Sequence, residues 1–135
     1  MAEEFSLELV SPEKLLLAEK VDMVVVPGAE GDFGVLVGHA PLISSLRPGV
    51  IDTYNGGKVA DRIFVAGGFA EVTGERCTVL AEEAIPVKDI DSANAEERLK
   101  VAKEAISAAD NNTLRNAAEI ELTVAEAMLA TGRAA

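Results

Sequence analysis

Tryptophan is absent from this chain of 135 residues, and the only aromatics are Phe5, Phe33, Tyr54, Phe64 and Phe69. A core must then come from valine, leucine, isoleucine and alanine, and a hydrophobic content of 49% is enough to build one. The single cysteine, Cys77, excludes an internal disulfide and points to a reducing compartment. One cysteine and one histidine, His39, cannot supply the four N/S ligands of an ordinary zinc site, so no metal is expected. Basic residues are scarce: 12 Lys and Arg face 23 Asp and Glu, for a net charge of −11. That surface repels phosphates and anionic lipid, which argues against a nucleic-acid partner and against unaided membrane adsorption. No apolar run approaches the roughly 18 residues of a membrane span. The acidic start Met1-Ala2-Glu3-Glu4 lacks a signal-peptide layout.

What is present divides into two halves. All five prolines (Pro12, Pro27, Pro41, Pro48, Pro86), ten of the eleven glycines and every aromatic lie at or before residue 86. Beyond it, 13 alanines fill 49 positions and Gly132 is the only glycine. The shift places a boundary at Ile85-Pro86-Val87-Lys88, because proline continues neither a strand ladder nor a helix. Residues 1–86 and 87–135 are thus expected as separate domains.

The first domain reads as β. Phe5, Leu7 and Leu9 alternate with polar neighbours, a period of two. Short apolar runs follow at 14–20, 22–26, 33–37, 42–46, 50–54, 62–66, 69–73 and 76–80, parted by charge, Gly or Pro. Asn55-Gly56 is a strong hairpin signal, and Gly67-Gly68 and Gly74 read as breaks. Closely spaced short strands of this kind predict a β-sandwich or a flattened barrel.

The second domain reads as two helices. Asp91 or Ser92 can cap the first, with Asn94 as a competing start, and Leu99, Ala102, Ile106 and Ala109 form its apolar stripe. Asp110-Asn111-Asn112-Thr113 is a turn, with Asn112 or Thr113 capping the second helix. Leu114, Ala118, Leu122, Ala125 and Leu129 form the second stripe, and Gly132 ends it. A closely packed antiparallel hairpin follows. The fold class is mainly β plus α.

Catalytic chemistry is missing. Gly28, Gly31, Gly34 and Gly38 are not followed by Lys-Ser/Thr, so they read as turn glycines and not as a phosphate loop. Cys77 alternates within a strand, and the pairs Glu82-Glu83 and Glu96-Glu97 read as solvated faces. His39, beside Ala40-Pro41, is either a local hydrogen-bonder or a polar contact in an interface. The chain reads as a binding or structural subunit and not as an enzyme. On composition alone, an alternative is a small-molecule binding β-sandwich, a sensor with a helical lid.

Ordered blocks across residues 5–85 carry a resemblance. They run from Leu9-Val10-Ser11-Pro12-Glu13 through Val26-Pro27-Gly28-Ala29-Glu30-Gly31-Asp32-Phe33-Gly34. Gly38-His39-Ala40-Pro41-Leu42 and Leu46-Arg47-Pro48-Gly49 follow, then Phe64-Val65-Ala66-Gly67-Gly68-Phe69 and Thr78-Val79-Leu80-Ala81-Glu82. Together they resemble the epsilon subunit of F-type, proton-translocating ATP synthases of the bacterial type.

The resemblance implies a ten-stranded β-sandwich followed by an antiparallel two-helix hairpin, in a non-catalytic rotor subunit of the central stalk. It implies gamma and the ring of c subunits as partners, with the alpha/beta catalytic head a further one. It places the chain peripherally on the cytoplasmic face of the bacterial inner membrane. By position within the block, the ring contact falls on Gly31, Asp32, His39 and Leu42. Some members bind ATP through Ile/Leu-Asp-x-x-Arg-Ala; here the segment is Ile90-Asp91-Ser92-Ala93-Asn94-Ala95, and Asn94 replaces the arginine. Without that fixed charge, ATP binding and any other cofactor are not expected. The inhibitory form of the family extends its last helix toward acidic segments of the head. Here that helix carries Arg115 and Arg133 against Glu119, Glu121 and Glu126, which predicts weak or absent self-inhibition.

Overall fold

A computed structural model describes residues 4–134; the start Met1-Ala2-Glu3, read above for targeting, and Ala135 lie outside the described residues. Two compact units divide between Pro86 and Val87.

The first unit holds β1 (Phe5–Val10), β2 (Leu15–Val21), β3 (Met23–Gly28), β4 (Gly31–Leu36), β5 (Leu42–Ser45), β6 (Gly49–Asn55), β7 (Lys58–Val72) and β8 (Arg76–Pro86). Their hydrogen-bonded order is β2-β1-β8-β7-β6-β3-β4, with β5 also paired to β7. Every pairing is antiparallel except β1 with β8.

Among the described residues the strands number eight, not ten, and the reason lies at Gly67-Gly68. The sequence suggests a break there, yet β7 runs through it. The first part of β7, up to Val65, pairs with β6, and Phe69–Val72 pairs with β5. β8 accompanies both parts without a change of register. Between them Gly67 and Gly68 take φ of +73° and +94°, which extended L-residues do not adopt, so the ribbon bends without ending. It then serves two facing layers, β2-β1-β8-β7-β5 and β8-β7-β6-β3-β4; counting β7 and β8 once in each layer gives ten segments. The inward residues of both layers, including Leu7, Leu9 and Val79 on one side and Val24, Val26 and Ile51 on the other, form one core.

The β6–β7 hairpin turns on Gly56-Gly57, at φ of +61° and +77°, one residue later than the Asn55-Gly56 reading. Asn55 is instead the last paired residue of β6, opposite Lys58. Cys77 lies fully inside, and burial pushes its thiol up to about 11, so it stays protonated and inert near neutral pH.

The second unit contains α1 (Ser92–Ala108) and α2 (Asn112–Ala134) after a short 3₁₀ turn at Val87–Asp89. Asp91 caps α1: its Oδ1 accepts from the Ala93 and Asn94 N–H groups at 2.9 and 3.4 Å. Asn111, and not Asn112 or Thr113, caps α2 by accepting from Leu114 N–H at 2.9 Å. Ala102, Ala118 and Ala125 are buried, while Leu114 of the expected stripe is exposed and Val124 and Met128 join the buried face. Ion pairs cross between the helices, Arg98 to Glu121 at 2.7 Å and Arg133 to Glu96 at 2.9 Å among them. Gly132 does not end α2, which continues to Ala134. Its missing side chain admits Ile90, whose Cγ2 would sit 2.9 Å from an added Cβ.

A Cβ on Gly68 would stand 1.8 Å from the Leu80 carbonyl oxygen, whereas one on Gly56 meets nothing within 4 Å. Gly68→Ala is therefore expected to cost at least about 3 kcal/mol, against roughly 1 kcal/mol for Gly56→Ala, where only the backbone preference is lost. Urea unfolding of the full chain, followed by circular dichroism, checks this; equal losses would count against the bend as described.

Candidate functional site

Three surface regions of the sandwich carry the residues that sequence reasoning singled out. The first is the corner where the β3–β4 turn meets the β5–β6 connection. Gly28 and Gly31 pair across the tight Ala29-Glu30 turn, which places Asp32 opposite Pro27 at the start of β4. The backbone N–H of Arg47 donates to the Pro27 carbonyl at 3.0 Å. Its guanidinium donates through Nη1 to the Gly28 carbonyl at 2.7 Å and through Nη2 to the Asp32 carboxylate. Asp32 thus has a cationic partner inside its own chain. The ion pair is exposed on both sides and is worth at most about 1 kcal/mol. Arg47 is a site residue that sequence reasoning quoted without a role. Fifteen positions separate it from Asp32, and only the fold brings them together.

The second region lies at the other end of β4. Four residues, or roughly 13 Å of strand, carry the chain from Asp32 to Leu36. His39 N–H donates to the Leu36 carbonyl at 3.1 Å, and Gly38 N–H to the Gly74 carbonyl at 2.8 Å. His39 Nδ1 lies 2.7 Å from the Ala40 carbonyl oxygen, so that nitrogen carries the proton. Leu42 pairs with Val72 at the far end of β5 from Arg47. Leu36, Leu42 and Ile43 are exposed around it. Gly31 and Asp32 therefore share one end of β4, and His39 and Leu42 share the other.

The third region is an apolar patch on the outer side of the β1-containing layer. Register places Val10 opposite Leu80 and Leu80 opposite Phe69. Phe69 and Leu80 are 40% and 39% exposed, and with Pro12 and Gly68 they line a shallow groove of about 260 Å³. Exposed large side chains gathered in one place mark a protein contact more often than singly scattered ones do. Away from the patch this face is polar, with Glu8 opposite Thr78 and Ser6 opposite Arg76.

In the helical unit, the residues of the altered nucleotide segment are committed to structure. Asp91 spends its carboxylate on the N-cap, Ile90 packs at Gly132, and Ala95 is fully buried. Asn94 is exposed and uncharged. Among the described residues, no three His, Cys, Asp or Glu side chains gather as metal ligands.

Comparison with known proteins sets these surfaces in context. Residues 4–87 match the family described as ATP synthase, Delta/Epsilon chain, beta-sandwich domain. The ATP synthase epsilon chain of Paramagnetospirillum magneticum is 60% identical over 130 residues, covering 96% of this chain and 98% of the relative. That of Rhodospirillum rubrum is 54% identical, covering 96% and 97%. Among solved structures, a chain of the Euglena gracilis mitochondrial ATP synthase OSCP/F1/c-ring assembly superimposes with a TM-score of 0.78 at 30% identity, covering 94% of this chain and 80% of that one. A chain of the Tetrahymena thermophila central stalk/c-ring assembly shares the fold, with a TM-score of 0.73 at 15% identity, over 96% and 97%. The chain therefore belongs to the epsilon-chain family of the ATP synthases, a non-catalytic subunit of the central stalk.

Proposed function

We propose that the sandwich couples the c ring and gamma by two separate surfaces, on the cytoplasmic face of a bacterial inner membrane. The observation that carries this reading is the apolar patch of Val10, Phe69 and Leu80 on an otherwise polar layer, which is the docking face for gamma. The end of the sandwich at Gly31 and Asp32 meets the c ring. There the exposed carboxylates of Glu30 and Asp32 outnumber Arg47 and suit a basic residue in a polar loop. His39 and Leu42, at the other end of β4, reach the same ring only if it lies along that strand; otherwise they form a second contact. The bacterial epsilon chains among the relatives support the inner-membrane placement. No helix among the described residues is long and apolar enough to cross a membrane, so attachment runs through the complex. Nothing in the fold or its relatives supports the small-molecule sensor.

The hairpin is proposed to bind no ATP, because Asp91 is occupied as a cap and Asn94 brings no charge to a phosphate. It is also proposed to exert little or no inhibition through the alpha/beta head. Arg133 is already paired with Glu96, and Glu119, Glu121 and Glu126 give α2 a net negative charge that acidic segments of the head would repel.

Two experiments test these surfaces. Phe69→Glu with Leu80→Glu is expected to abolish co-purification with gamma while the melting temperature changes by no more than a few degrees. Asp32→Lys with His39→Ala is expected to leave gamma attached and to uncouple proton flow from ATP synthesis. Retained gamma binding in the first pair, or intact coupling in the second, would reject the corresponding surface. For the hairpin, ATP hydrolysis by the isolated catalytic head is compared with added full chain and with a chain ending at Pro86, both first shown to bind gamma. Equal rates are expected, and a clearly faster rate with the shortened chain would identify the hairpin as a brake.

A further inference from the structure

Asn55-Gly56 is the only Asn-Gly step in the chain; the other asparagines, Asn94, Asn111, Asn112 and Asn116, precede Ala, Asn, Thr and Ala. The step is a chemical liability as well as a turn signal. Glycine has no side chain to stand between its own backbone nitrogen and the amide carbon of the preceding asparagine. In an unstructured chain the Gly56 nitrogen can bond to Asn55 Cγ. The Cγ–Nδ2 bond then breaks, and ammonia leaves with the Gly56 amide proton. Water opens the resulting succinimide: its hydroxyl adds to one of the two ring carbonyls and its proton returns to the ring nitrogen. Attack at Cγ gives aspartate. Attack at the main-chain carbonyl gives isoaspartate, in which the backbone runs through Cγ.

In the folded chain nothing steric stands in the way. Gly56 and Gly57 are exposed at the hairpin tip, and a Cβ on Gly56 would meet nothing within 4 Å. Asn55 itself is only half-buried. The obstacle is a tie from a distant part of the chain. Asp22 lies in the bend between β2 and β3, 34 positions from Gly56. Its backbone N–H donates to the Tyr54 carbonyl at 2.9 Å, and its carboxylate Oδ2 accepts from Gly56 N–H at 2.6 Å. One residue thus holds the peptide groups on both sides of Asn55. Asn55 is held a second time by its pairing with Lys58 across the turn.

Cyclisation requires the Gly56 nitrogen to turn toward Asn55 Cγ and to give up its proton. Asp22 opposes both. It keeps the N–H directed at its own carboxylate, and its negative charge disfavours an anionic nitrogen beside it.

We propose that Asn55-Gly56 is a deamidation site and that Asp22 is the positioning residue that keeps it intact in the folded chain. Loss of the tie exposes a fragile place in the fold. The reaction replaces a neutral amide by a second carboxylate close to that of Asp22. Isoaspartate also adds a methylene to the main chain where only Gly56 and Gly57 join β6 to β7. A two-residue turn fixes the register of its strands, so the β6–β7 pairing cannot absorb that extra length.

The test incubates the full chain in warm, mildly alkaline buffer and follows conversion of each asparagine by peptide mass spectrometry, in wild type, Asp22→Ala and Asp22→Asn. Removing a hydrogen bond to a charged acceptor predicts that Asn55 converts about tenfold faster in Asp22→Ala than in wild type. Asp22→Asn keeps a neutral acceptor and is expected to fall between the two. Equal Asn55 rates in wild type and Asp22→Ala would overturn the proposal. Should a variant lose its fold, amide hydrogen exchange of wild type decides. Slow exchange at Gly56 N–H supports the tie, and exchange at the rate of an unstructured glycine overturns it. Wild-type Asn55 is also expected to convert faster in urea than in the folded chain, and equal rates there would again overturn the proposal.

Discussion

The close approach of the β7 and β8 backbones at Gly68 is the constraint on which the sandwich depends. With the Leu80 carbonyl oxygen where a Cβ would have to go, no other residue fits, and the positive φ at Gly67 and Gly68 turns one long ribbon into a member of both layers. The two sheets are therefore not merely pressed together by apolar burial. They share two strands covalently, and the core of Leu7, Leu9, Val24, Val26 and Ile51 fills the fold of that ribbon. The same bend carries Phe69 onto the outer face beside Leu80, so the apolar patch is a direct product of the fold's central constraint.

A second closure lies at Arg47. Its backbone and guanidinium reach Pro27 and Gly28 on β3 and Asp32 on β4, so the link between β5 and β6 is tied to the neighbouring hairpin. The bonds to the two carbonyls, the one from the guanidinium charge-assisted, do most of this, since the exposed ion pair adds at most about 1 kcal/mol. Arg47 also tempers the acidity of the corner without cancelling it, and it holds Asp32 in one direction.

Strand existence and the break at Pro86 are legible in the sequence because they rest on local signals: period-two alternation in Phe5, Leu7 and Leu9, and a composition shift. The errors share one cause. Gly67-Gly68 and Gly132 look like terminators, because glycine punctuates most chains, yet each marks a place where another part of the chain comes close. Nothing local reveals that Leu80 or Ile90 will be the neighbour. Arg47 with Asp32 is invisible for the same reason: the partner is set by register and turn placement, not by spacing. The helix caps illustrate a smaller version, where Asn111, Asn112 and Thr113 are all competent and backbone geometry selects Asn111.

Why such a chain connects and does not catalyse follows from where its reactive groups are spent. Catalysis needs side chains that are held in place yet free to bond with a substrate. Here Cys77 is buried and neutral, His39 is bonded to the next residue's carbonyl, Asp91 caps a helix, and Asp32 is engaged by Arg47. What remains outside is a patch of hydrocarbon and an acidic corner on a rigid frame. A shaft component must transmit torque without yielding, and a sandwich whose two sheets share their longest strands is suited to resist shear between its layers.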